Sequence, residues 1–136
     1  MAEPIKVGVD LHGVIDANTS LFRYLSFILK QGDVKIYVIS GPPTENVKKE
    51  LEALNLVEGT HYDEIYTIVD FLQTQPDIEM WKDEKDTWWT DDENWWGSKA
   101  KICKILGIDV MIDNTDKYMS YFEGSGIKFI LYTGII

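Results

Sequence analysis

Two aspartates close apolar runs in this chain: Asp10 ends "IKVGVD" and Asp113 ends "IDVMID". Two carboxylates brought to one edge of a sheet repel each other and are costly to desolvate. A hard divalent cation relieves both penalties, and Mg²⁺ favours one or two carboxylates together with water and phosphate oxygens. Ser40 closes a third apolar run, "VKIYVIS", and brings a hydroxyl. Lys99 stands at the start of a helix whose following strand delivers Asp113, and from there its ammonium can neutralise an aspartate or a phosphate. Acid, metal and lysine in this combination suit phosphoryl transfer, which depends mostly on positioning and charge stabilisation.

The elements that must position these residues alternate along the chain. Strands are expected at 5–9, 34–40, 64–70, 108–113 and 127–133, from runs of β-branched and aromatic residues. Helices are expected at 18–32, 44–56, 98–107 and, in short form, 116–126. The first has Asn18 or Thr19 as its cap, Gly32 as its stop, and Leu21, Phe22, Leu25, Ile28 and Leu29 at helical spacing. Thr44 and Ser98 are read as caps of the next two, and Gly107 as the stop of the third. Such alternation predicts an α/β sandwich of three layers, Rossmann-like, with a mainly parallel sheet. Ligands of these sheets bind outside the carboxyl ends of the strands. Attention therefore falls on Asp10, Ser40, Asp70 and Asp113.

The totals set bounds. The 136 residues fit a single domain, with residues 77–97 as a small tryptophan-rich insertion. Cys103 is the only cysteine, so no internal disulfide forms, and a reducing, cytoplasmic location is expected. The N-terminal "MAEPIKVG" lacks the pattern of a secretory signal, and no run of 18 apolar residues predicts a membrane span. A net charge of −10 argues against long nucleic acid and anionic lipid as partners. It permits a small phosphorylated molecule whose charge a metal ion and a lysine offset locally.

The motifs together resemble the haloacid dehalogenase (HAD) superfamily. "DLHGVI" is similar to its first motif, "IYVIS" to its second, Lys99 (or Lys101) to its third and "VMIDN" to its fourth, in the same order. The resemblance implies a HAD-like fold with little or no cap domain and a Mg²⁺-dependent phosphohydrolase acting on a small phosphomonoester. Asp10 would be the nucleophile that forms an aspartyl-phosphate. Asp10, the backbone carbonyl of His12, and Asp113 would hold the metal. Ser40, Gly41 and Lys99 would hold the transferring phosphoryl group, with Asn114 and Asp116 around the metal's water shell.

His12 departs from the family pattern, which has an aspartate there as general acid and base. Imidazole can take over that work near neutral pH. The alternative is a catalytically impaired HAD-like protein that binds a ligand or partner through its tryptophans. All five tryptophans fall within residues 81–96. Trp88 and Trp89 opposite Trp95 and Trp96 would make a hairpin whose rings stack on a substrate. Equally, the rings would pack the loop onto the core or bury a contact in a homodimer. His61 reads as a surface-loop histidine.

Overall fold

The computed structural model describes residues 3–133. Five parallel strands form the main sheet: β1 (Ile5–Val9), β2 (Val34–Ser40), β3 (Glu64–Thr67), β6 (Val110–Asp113) and β7 (Lys128–Leu131). Their spatial order is β3-β2-β1-β6-β7. The chain runs outward from β1 to β3 and then crosses back to β6 on the other side of β1. The order therefore reverses between β1 and β6, which pair in register from Val7↔Val110 to Val9↔Ile112. A crevice outside the strand ends forms at such a reversal.

Alternation along β2 builds two cores. Ile36 and Val38 face one cluster with Val9, Leu11, Ile15, Val47 and Leu51. Tyr37 and Ile39 face the other, with Ile68, Leu72, Ala100, Ile102, Cys103 and Met111. Helix α2 (Thr44–Ala53) covers the first face through Val47 and Leu51, both fully buried. Helices α3 (Ile68–Gln73) and α4 (Asp92–Leu106) cover the second, together with a 3-10 turn at Asp116–Phe122. The result is an α/β sandwich of three layers on a parallel sheet.

Several local expectations are corrected. The third strand stops at Thr67, not Asp70, because the Thr67 hydroxyl caps α3 by accepting from the Asp70 amide at 3.3 Å. Asp70 accepts from the Thr44 amide at 3.3 Å and so braces the start of α2. Thr44 is the first residue of α2 and not its cap; that place is held by Pro43, without a side-chain bond. Helix α4 begins at Asp92, six residues ahead of Ser98, with the Asp91 carboxylate accepting from the Asn94 amide at 3.0 Å. Trp95 and Trp96 are thus helical and cannot pair with Trp88 and Trp89. The actual hairpin joins β4 (Trp81–Lys82) to β5 (Trp88–Trp89), with Trp81 opposite Trp89. The insertion expected at 77–97 therefore ends where α4 begins.

Helix α1 (Thr19–Leu29) forms as expected and is capped by Asn18, whose side chain accepts from the Leu21 amide. Its apolar residues are largely not in the core. Phe22 packs on the first cluster, but Leu21, Leu25, Ile28 and Leu29 are 41–63% exposed. His61 is buried instead of lying on the surface, and its Nδ1 accepts from the Val57 amide at 2.9 Å. Burial lowers its pKa, helped by the nearby Arg23 charge. No helix among the described residues is long and apolar enough to cross a membrane.

Candidate active site

The reversal of strand order brings Asp10 and Asp113 side by side although 103 residues separate them. The Asp10 amide donates to the Ile112 carbonyl at 3.0 Å, which fixes the two strand ends together. Lys99 supplies the cation between them. Its Nζ stands 2.5 Å from Asp113 Oδ2 and 3.2 Å from Asp10 Oδ1. All three side chains are buried, Lys99 to 1% exposure and Asp113 to 0%. Leaving any one without its partners would be costly in such a place.

Each remaining oxygen has a definite situation. Asp113 Oδ1 accepts from the Thr115 amide at 3.0 Å, and Asp10 Oδ1 accepts from the Leu11 amide at 2.9 Å. Asp10 Oδ2 takes no hydrogen bond from the described residues. The Tyr118 ring lies under the ammonium, 4.4 Å from Nζ to centroid, a cation–π contact. Burial raises the Asp10 pKa; Lys99 opposes this and Asp113 adds to it. Burial alone would lower the pKa of Lys99, but the charges of Asp10 and Asp113 reverse this and raise it. Both shifts follow from two acids and one base sharing a dry site. Cys103, in the same core, has its thiol pushed up to about 12 by burial and is no nucleophile.

Ser40 sits at the end of β2, beside β1, fully buried. Its Oγ has no hydrogen-bond partner among the described residues. A buried hydroxyl left unpaired is uncommon and marks a place where a partner belongs. Gly41 follows it, and a Cβ there would stand 3.0 Å from Trp95 Cζ2, so the indole packs directly on the turn.

His12 lies in the loop after β1, where Gly13 takes a φ of +83°. That loop is tied by the Gly13 amide to Asp16 Oδ1 at 2.7 Å. The His12 ring points to α2 and not to Lys99: its Nε2 lies 2.5 Å from Glu50 Oε2, with both side chains nearly half exposed. Asn114 packs over Gly13. Asp116 is exposed at the head of the 3-10 turn. Lys101 is exposed on α4, so Lys99 is the lysine of the triad. Trp89 is tied to its own hairpin, its Nε1 donating to Asp83 Oδ2 at 2.7 Å. Trp88 instead lines a cavity of about 630 Å³ with Trp95, Pro42, Pro43 and Glu50.

Two residues escape sequence reasoning, Glu50 and Tyr118, and Trp95 is expected only as a hairpin residue. Glu50 and Tyr118 reach the site only through tertiary packing. Trp95 has a signal, since it precedes Lys99 by four and so shares its helix face once α4 is known to start at Asp92.

The donor set suits a hard cation in part. Two carboxylates converge and Asp10 Oδ2 lacks a protein partner, which fits Mg²⁺ completed by water and phosphate oxygens. No group of three or more His, Cys, Asp or Glu side chains able to hold a metal ion occurs among the described residues. Comparison with protein-family models, curated proteins and solved structures finds no match to this chain.

Proposed function

We propose that this chain is a HAD-like, Mg²⁺-dependent phosphohydrolase acting on a small phosphomonoester. The observation that supports it most is the buried set at adjacent strand ends: Asp10 and Asp113 on one ammonium, and at the end of neighbouring β2 a Ser40 hydroxyl without a partner among the described residues. Two carboxylates and one lysine leave the site with a net charge of about −1. A phosphate dianion therefore needs a further cation, and Asp10 and Asp113 are the residues that would hold it. When bound, Mg²⁺ supplies charge neutralisation of the phosphoryl oxygens.

In this reading the Asp10 carboxylate attacks phosphorus in line with the ester oxygen. The P–O ester bond breaks, its electron pair leaves on the alcohol oxygen, and an aspartyl-phosphate forms. Lys99 and the Ser40 hydroxyl hold the phosphoryl oxygens throughout. His12, set by Glu50, donates the proton to the leaving alkoxide. Water then attacks the same phosphorus and gives its proton to His12, the P–O bond to Asp10 breaks with its electron pair returning to the carboxylate, and inorganic phosphate is released.

One observation favours a second reading, a ligand-binding protein without turnover. The His12 ring is engaged by the Glu50 carboxylate, with both side chains nearly half exposed. A panel of phosphomonoesters, assayed with and without Mg²⁺, separates the two. The hydrolase reading expects metal-dependent release of phosphate that Asp10→Asn abolishes. No release from any ester, with phosphate still bound, would leave the second reading standing.

A further inference from the structure

We infer that the cavity between the hairpin and the start of α2 seats a flat, uncharged ring system on the alcohol side of the phosphomonoester, a nucleoside in chemical class. This rests on the phosphate reading of the strand ends given above. The cavity measures about 630 Å³, within the ordinary span of ligand sites. It adjoins the phosphate end through the chain itself, since Pro42 and Pro43 line it and follow Ser40 and Gly41 directly. Trp95, packed on Gly41, forms the wall between the two.

Its lining selects the ligand. Trp88 and Trp95 are half-buried and bring aromatic faces, which suit stacking on a planar ring. Lys82 steadies Trp88, with Nζ 4.9 Å from the ring centroid and 3.0 Å from Asp86. Asn46 and Thr87 bring amide and hydroxyl groups for a ring's polar edge. The charged lining is Glu50 and Asp86 against Lys82 and Lys85, which balance. A balanced pocket favours a neutral group over a second phosphate.

The test uses the Asp10→Asn protein, so that ligands are held and not consumed, with tryptophan fluorescence as readout. A nucleoside monophosphate, the same nucleoside without phosphate, and glycerol phosphate are titrated. The monophosphate is expected to bind about tenfold or more tightly than glycerol phosphate, a gain of the size that one stacked base gives. Trp88→Leu, which keeps apolar bulk in the hairpin, is expected to remove that gain. Equal affinity for both esters, or a preference untouched by Trp88→Leu, would overturn the ring site. If the free nucleoside binds as tightly as its monophosphate, in a Trp88-dependent way, while glycerol phosphate does not bind, the ring site holds and the phosphate reading fails.

A separate observation carries a second inference. Leu21, Tyr24, Leu25, Phe27, Ile28 and Leu29 on α1 are each 41–72% exposed. The helix holds one charged residue, Arg23, whose guanidinium is turned inward to the Leu54 carbonyl at 2.7 Å. We propose that α1 packs against α1 of a second copy of this chain. Six large apolar side chains at about half exposure present roughly 600 Å², close to the roughly 800 Å² per partner of a standard interface. The chain as a whole carries a net charge of −10, so two copies approach best through this nearly uncharged helix. Leu21, Leu25 and Ile28 recur at the spacing of a helix–helix contact. Beneath α1 an apolar cavity of about 150 Å³ remains, lined by Leu21, Leu25, Leu29 and Ile112.

Sedimentation velocity across micromolar concentrations tests this. A dimer is expected, and Ile28→Asp, at a position 63% exposed, is expected to give a monomer with unchanged circular dichroism. A monomer at every concentration, or a dimer that survives Ile28→Asp, would sink the proposal. So would a monomer that binds neutral lipid vesicles through α1.

Discussion

Gly13 and Asn114 are in such close contact that a Cβ on Gly13 would overlap the Asn114 side-chain amide. The glycine also holds a φ of +83°, which L-residues adopt only at a cost. Together these pin the loop after β1 to the end of β6. Gly13→Ala is expected to lose about 2–3 kcal/mol, the sum of a clash and an unfavourable φ. Adding Asn114→Gly should return the clash portion and leave about 1 kcal/mol of backbone cost. Urea denaturation of the single and double variants reads this directly; an additive double variant would mean that the two residues do not touch.

Lys99→Met removes the ammonium that Asp10 and Asp113 share. Two buried carboxylates are then left facing each other, and a loss of about 3–5 kcal/mol is expected. The sign with pH follows from the charges. Carboxylates without a cation have raised pKa values and cost stability when ionised. The deficit is therefore largest at neutral pH and shrinks as pH falls toward the ordinary carboxylate value of 3.8. A deficit constant from pH 8 to pH 5 would argue against the shared ammonium.

Asp10→Asn should stabilise the fold at neutral pH. Burial raises the Asp10 pKa, so the native state binds its proton more tightly than the unfolded chain does. The stability cost is absent below 3.8, grows as pH rises through the folded value, and is complete above it. Asn carries no such cost. The variant's advantage should be present at pH 7 and gone at acid pH. A variant less stable than the parent at pH 7 would contradict the burial argument.

Ser40→Ala should separate folding from ligand binding. The hydroxyl is buried without a partner, so its removal leaves stability unchanged or slightly raised. Inorganic phosphate, read by its protection against thermal unfolding, should bind about fivefold to tenfold more weakly, the loss of one hydrogen bond to a charged group. Unchanged phosphate protection in this variant would remove Ser40 from the site.

Much of the site was legible before any coordinates. Asp10, Ser40 and Asp113 stand out because a buried strand seldom ends on a polar residue without a use for it. The strands were legible because runs such as "VKIYVIS" are buried on both faces of a parallel sheet. The start of α4 was not, since paired tryptophans and acids in "DDENWWGSK" mimic a β-hairpin and hide the Asp91 cap. Helix α1 misled in the opposite way. Its spacing is that of a helix, but spacing does not tell which face meets the core.

Residue order by itself determined the alternation of strands and helices, and with it that Asp10, Ser40 and Asp113 stand at strand ends, because both follow from local periodicity and turn chemistry. Tertiary structure alone decided that the switch between β1 and β6 makes Asp10 and Asp113 neighbours, that Lys99 and not Lys101 joins them, and that His12 turns to Glu50. Those contacts span 14 to 103 residues. They depend on how layers pack, and no local pattern encodes the rotation of one layer on another.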